Sequence, residues 1–170
     1  MSKDITPILD GWDFEPDQLT VRKTLGLDGK WKIQMRLDLG VLQMNLHGRP
    51  DGTQPEGFES LLEFYQHEAN TWFQETGEDA FELTESACRQ LQREAIQYYH
   101  RYLCFFKLGD YQFVQRDTRR NLVLIDFVKR YGPAAVIQEF EQYRPYIILM
   151  NVRARTSLAL LEKDFTRAIR

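Results

Sequence analysis

"KLGDYQFVQRDTRRNL", residues 107–122, is the stretch on which the fold turns. A helix-forming run reaches Leu108, meets Gly109, and becomes helix-like again at Tyr111. Glycine takes the left-handed backbone at a helix C-terminus without a Cβ penalty, so Gly109 reads as a C-cap. Asp110 reads as the N-cap of the next helix. Tyr111 starts a new apolar stripe with Val114, Thr118, Leu122 and Ile125. A break this short predicts two antiparallel, directly packed helices.

Upstream of the break, Thr84 can cap a helix with Glu85 in its first turn. That helix turns Cys88, Leu91, Ala95, Tyr98, Tyr102 and Phe105 toward a core. Before it, Phe58, Leu61, Leu62, Tyr65, Ala69, Trp72 and Phe73 share one stripe of an amphipathic helix that Gly77 ends. Downstream, Tyr131-Gly132 closes the second hairpin helix, and Pro133 suits position N1 of a third over about 133–143. Pro145 opens a fourth, rich in apolar residues at Ile147, Ile148, Leu149 and Met150.

The front of the chain has another period. Residues 1–17 read as irregular, with Trp12 and Phe14 pinning the arm to the body. Ile33, Met35, Leu37 and Leu39 alternate with polar residues, and Leu42, Met44 and Leu46 alternate in the opposite phase. A two-residue turn at Gly40-Val41 explains the switch by pairing Leu39 with Leu42, Leu37 with Met44 and Met35 with Leu46. A β-bulge in one long bent strand also explains it, and is preferred because Val41 suits a turn poorly. A three-residue loop at 28–30 sets Leu25 against Ile33 and Val21 against Leu37. A small antiparallel sheet over about 19–47 follows, ending at the turn signal Gly48-Arg49-Pro50-Asp51-Gly52.

The 170 residues carry 43% hydrophobic and 13% aromatic side chains, which supports a real core. A net charge of −3 excludes a global basic field for nucleic acid. No apolar h-region opens the chain and no run is long enough for a membrane span, so a cytoplasmic protein is expected. Cys88 and Cys104 lie roughly 24 Å apart along one predicted helix, too far to pair, and read as small buried hydrophobes.

No residues stand out as catalytic. His47, His67 and His100 fall in three different elements without metal-ligand spacing, so neither metal nor cofactor is expected. Cys104 and His100 are one turn apart, but no oxyanion-forming loop adjoins them. The acidic set Asp10, Asp13, Glu15 and Asp17 lacks the glycine and bidentate glutamate of a calcium loop. Arg116, Arg119 and Arg120 share one helix face, with Arg101 and Lys107 nearby. They are candidates for holding a carboxylate, phosphate or acidic peptide, against the plainer reading of a solvated face. Arg153 and Arg155 stand in an apolar helix, where at least one should form a structural ion pair or face a groove. Tyr98 and Tyr99 cannot both enter one core, so Tyr99 joins these arginines as a partner- or ligand-binding candidate, a homodimer contact included.

Self-comparison gives a faint echo at an offset of 54 residues. Arg101…Lys107-Leu108-Gly109-Asp110-Tyr111-x-x-Val114 corresponds to Arg155…Leu161-Glu162-Lys163-Asp164-Phe165-x-x-Ala168. The "L-G-D-Y-x-x-V" segment resembles the inter-helix segment of tetratricopeptide repeats, whose period is about 34, so the longer offset implies an additional helix. "LDGWDFEPDQLTVRK", "KIQMRLDLGVLQMNLHGRPDG", "YYHRYLCFFKLGDY" and "EQYRPYIILMNVRAR" resemble an uncharacterised bacterial family, common in planctomycetes, that carries a C-terminal UvrB/UvrC-type motif. In that family the motif lies beyond the helical repeats. Here the chain stops at Arg170 inside what should be a helical hairpin, so the resemblance implies a fragment or a short member.

The expected fold is α+β: a small N-terminal antiparallel β-sheet (1–52, with its arm) followed by a helical region (53–170) of tetratricopeptide-like hairpins. The expected function is non-catalytic, binding a protein or peptide partner on the helical surface. The first alternative is a small anionic-ligand binder or enzyme with a pocket between sheet and helices. The second is association with nucleic acid, suggested only by the family's motif.

Overall fold

The computed structural model describes residues 4–169, and of Arg167 and Ile169 the backbone alone. A four-residue helix, α1 (Thr6–Leu9), precedes strands β1 (Val21–Leu25), β2 (Trp31–Leu37) and β3 (Gly40–Asn45). Helices α2 (Leu61–Thr76), α3 (Glu85–Leu108), α4 (Tyr111–Tyr131), α5 (Ala134–Glu141), α6 (Arg144–Leu161) and α7 (Phe165–Ile169) follow. The architecture is the expected one, α+β and mostly helical. None of its helices is long and apolar enough to cross a membrane, among the described residues.

The three strands form an antiparallel sheet in the order β1-β2-β3. Its alternation has the predicted phase, but both turns lie elsewhere. The phase switch is a tight turn at Asp38-Leu39, with Leu37 opposite Gly40, Met35 opposite Leu42 and Ile33 opposite Met44. It is neither the bulge nor the Gly40-Val41 turn. The reason is Arg36, whose guanidinium donates to the carbonyls of Leu37, Asp38 and Gly40, while the Asp38 carboxylate accepts from the Leu39 amide at 2.9 Å. The first hairpin sets Val21 opposite Met35 and Leu25 opposite Trp31. Its loop is closed by the Gly26 amide donating to the Lys30 carbonyl at 2.8 Å. Relative to expectation the register moves by two residues, which keeps each side chain on its own face.

One sheet face carries Ile33, Met35 and Met44 into a core with Tyr102, Phe105, Val114, Met150 and Ala154. The other carries a polar ladder from Arg22 through Gln34 to Gln43, each step at 2.8 Å. Across this ladder lies the N-terminal arm. The Arg22 guanidinium stands 3.8 Å from the Trp12 ring centre, and Arg36 donates to the Trp12 carbonyl at 2.9 Å.

Gly109 sits in the left-handed region at φ 78° and ends α3, as predicted. Asp110 does not cap α4 with its side chain; the carboxylate instead meets Lys23 of β1 at 2.6 Å, tying the helix turn to the sheet. Contacts along α4 give the helix directions. Arg101 meets Asp117 while Asn121 meets Ala95, so α3 and α4 are antiparallel. Asn151 meets Thr118 while Arg144 meets Asp126, so α6 and α4 are antiparallel too. Helices α3 and α6 therefore run parallel on either side of α4. Between Leu62, Leu91, Leu124, Val128, Phe140 and Ile147 lies a second apolar cluster, away from the sheet. Trp72 and Phe73, expected on the buried stripe of α2, are 43% and 55% exposed, because α2 buries Leu62 and Ala69 and leaves its last turns free.

Candidate functional site

Two polar or aromatic assemblies occupy opposite faces of the α3–α4 pair. The first is a belt of buried charge between the two apolar clusters. Asp117 and Arg101 are each about 1% exposed as side chains and form a forked pair, Nε to Oδ2 at 2.7 Å and Nη2 to Oδ1 at 3.0 Å. Arg101 Nη1 also donates to the carbonyls of Asn45 and Gly48 at 3.0 and 2.7 Å. Arg116 donates to Asp117 at 2.8 Å and to the Leu46 carbonyl at 2.9 Å. One turn away, the buried Glu94 carboxylate accepts from Arg49 at 2.8 Å, from Arg120, and from the Leu61 and Leu62 amides that open α2. A carboxylate at a helix N-terminus satisfies amides that lack intrahelical partners. Every oxygen in this belt is matched by a guanidinium or an amide. The belt fastens the segment after β3 and the start of α2 onto the helix pair.

Three of the seven sequence candidates, Arg101, Arg116 and Arg120, are thus committed to internal partners. Arg119 and Arg155 are exposed and stand apart from this belt. Arg153 is exposed as well; its guanidinium lies 4.6 Å from the Phe106 ring centre and, among the described residues, has no carboxylate partner. Among the described residues, no salt bridge joins Arg153 or Arg155 to a carboxylate, where one was expected for at least one of them unless it faced a groove. Residues Glu94 and Arg49 were not foreseen, although Glu94 falls on the inward stripe of α3 between Leu91 and Tyr98, where an unpaired charge would be untenable.

The second assembly is a cleft of about 440 Å³ on the other face. Its walls are Ile96, Tyr99 and His100 of α3 and Tyr146 and Ile147 of α6; its floor holds Leu124 and Ile125 of α4; Phe140 and Tyr143 close one end. Of the sequence candidates, Tyr99 alone lines it, and its neighbour Tyr98 turns into the core, as two adjacent tyrosines must. Tyr98 is covered by the guanidinium groups of Arg120 and Arg101, 4.0 and 4.8 Å from its ring centre. Burial pushes its phenol up to about 12.

The cleft's polar groups include no acid, lysine or arginine: Gln92, Asn121 and Gln142 join His100 and the tyrosines. Tyr102 lines the cleft and is 1% exposed. Burial raises its pKa, and the neighbouring Tyr146 and Tyr99 phenols add to the rise. Tyr99 and Tyr146 face each other with ring centres 6.2 Å apart. Burial lowers the pKa of His100, which keeps the ring neutral at pH 7. Cys104, one turn on, is fully buried, and burial pushes its thiol up to about 12, so it supplies no thiolate to His100. No group in the cleft is arranged as a nucleophile with its base. The walls suit an apolar or aromatic guest with a hydrogen-bonding tip.

The fold and this site together define a sheet-buttressed helical layer with an aromatic-walled cleft between parallel helices. Set against protein-family models, curated proteins and solved structures, the chain matches none.

Proposed function

We propose that this chain is a non-catalytic interaction module that binds a protein or peptide partner in the α3–α6 cleft, in the cytoplasm. The cleft itself carries the reading: about 440 Å³ of space between two parallel helices, lined by Tyr99, Tyr143, Tyr146 and Ile96. Interface energy concentrates where a few bulky anchors fill desolvated pockets, and tyrosine walls are typical of such pockets. This reading fits the tetratricopeptide-like and planctomycete-type resemblances without depending on either.

A photo-crosslinking amino acid at Ile96, on the cleft wall, is the direct test. Crosslinked polypeptide in cells is expected from position 96 and not from Glu75 at the far end of α2. A chain that crosslinks from neither position, or equally from both, would count against the module.

A further inference from the structure

Resting on the peptide-binding reading, we infer that the partner segment carries a bulky apolar anchor for the cleft and a carboxylate that pairs with Arg153. Three observations converge on this. The cleft interior is apolar apart from neutral hydrogen-bonding groups, so the guest's charge must lie outside it. Arg153 follows Tyr146 by seven residues, two helical turns, and so continues the same face of α6. Its guanidinium rests on Phe106, as Tyr146 rests on Tyr99, so the α3–α6 trough runs on from the cleft to this cation. The influence of Arg153 on the Tyr146 phenol, which it draws down against the upward push of burial and Tyr99, agrees with that proximity.

Arginine flat on an aromatic ring leaves its N–H edge free for a carboxylate fork. Along the axis, seven residues span about 10 Å. An extended peptide covers that distance in about three residues. The motif implied is therefore a large apolar residue with Asp or Glu about three positions away.

Selection of a random-peptide display library on the full chain tests this. Enriched peptides should carry that pairing. Ile96→Asp, at a half-exposed position, should abolish their binding. Arg153→Glu should weaken it about tenfold, and exchanging the peptide carboxylate for lysine should restore binding to Arg153→Glu. Circular dichroism checks that both variants fold. Peptides that need Ile96 but ignore Arg153→Glu would overturn the charged half of the inference. Peptides indifferent to both variants would overturn the inference while leaving a partner site elsewhere. An empty selection, together with no crosslink from position 96, would remove both this inference and the module.

Discussion

Glu94 and Asp117 show how much a single buried charge controls. Each is fully covered, and each is held by two arginines. Removing one member of a buried pair strands the other in a low-dielectric setting, at about 3–5 kcal/mol. Asp117→Asn keeps the shape but leaves Arg101 without its counter-ion. Urea denaturation should show a loss of that size, whereas Arg119→Ala, at an exposed position, should stay within about 0.5 kcal/mol of the parent. Equal stabilities for the two variants would mean that the belt does not hold the fold. Arginines at 101, 116 and 120 were visible in the sequence as a cluster of cations. Their partners were not, because Glu94 contacts Arg49 across 45 residues of chain and Arg101 reaches the carbonyl of Asn45 across 56.

At the scale of elements, the turn after α3 recurs after α6. Gly109 has φ 78° and Lys163, 54 residues later, has φ 59°. The Asp110 amide donates to the Phe105 carbonyl at 2.9 Å, and the Asp164 amide to the Ala159 carbonyl at 2.8 Å. The Gly109 and Lys163 amides donate to the Phe106 and Leu160 carbonyls in the same way. The faint echo in the sequence is thus one helix–turn–helix geometry used twice, with α5 inserted between the copies. A Cβ costs about 1–2 kcal/mol in the left-handed region, and open space around Gly109 leaves backbone strain as the only penalty there. Gly109→Ala should therefore lower stability by about 1 kcal/mol. Lys163→Gly should raise it by about 0.5–1 kcal/mol, less what the freer unfolded chain returns. Thermal melts of the pair check both signs; a stabilising Gly109→Ala would show that the hinge is not held in that conformation.

Across the whole molecule, the cleft links stability to pH through His100. An unfolded histidine titrates near 6.5, and burial lowers the folded value below that. Between the two, the unfolded chain holds more protons than the native one. Stability from this group is complete above about pH 6.5 and falls as pH is lowered through the folded pKa. His100→Gln should flatten that part of a melting-temperature profile between pH 7.5 and 5. An unchanged slope in the variant would assign the loss to other groups. Local sequence alone determined helices α2 to α6, though not the short α1 in an arm expected to be irregular, and with them the caps at Thr84 and Gly109, the sheet's alternation and the burial of both cysteines, because periodicity and backbone preference act within a few residues. Only the tertiary structure decided the hairpin registers, where Arg36 closes a turn that glycine was expected to make. It also decided which arginines are spent inside, which one faces the trough, and that α3 and α6 lie parallel with a cleft between them. Those outcomes depend on pairings across tens of residues, and no local pattern encodes which charge will meet which.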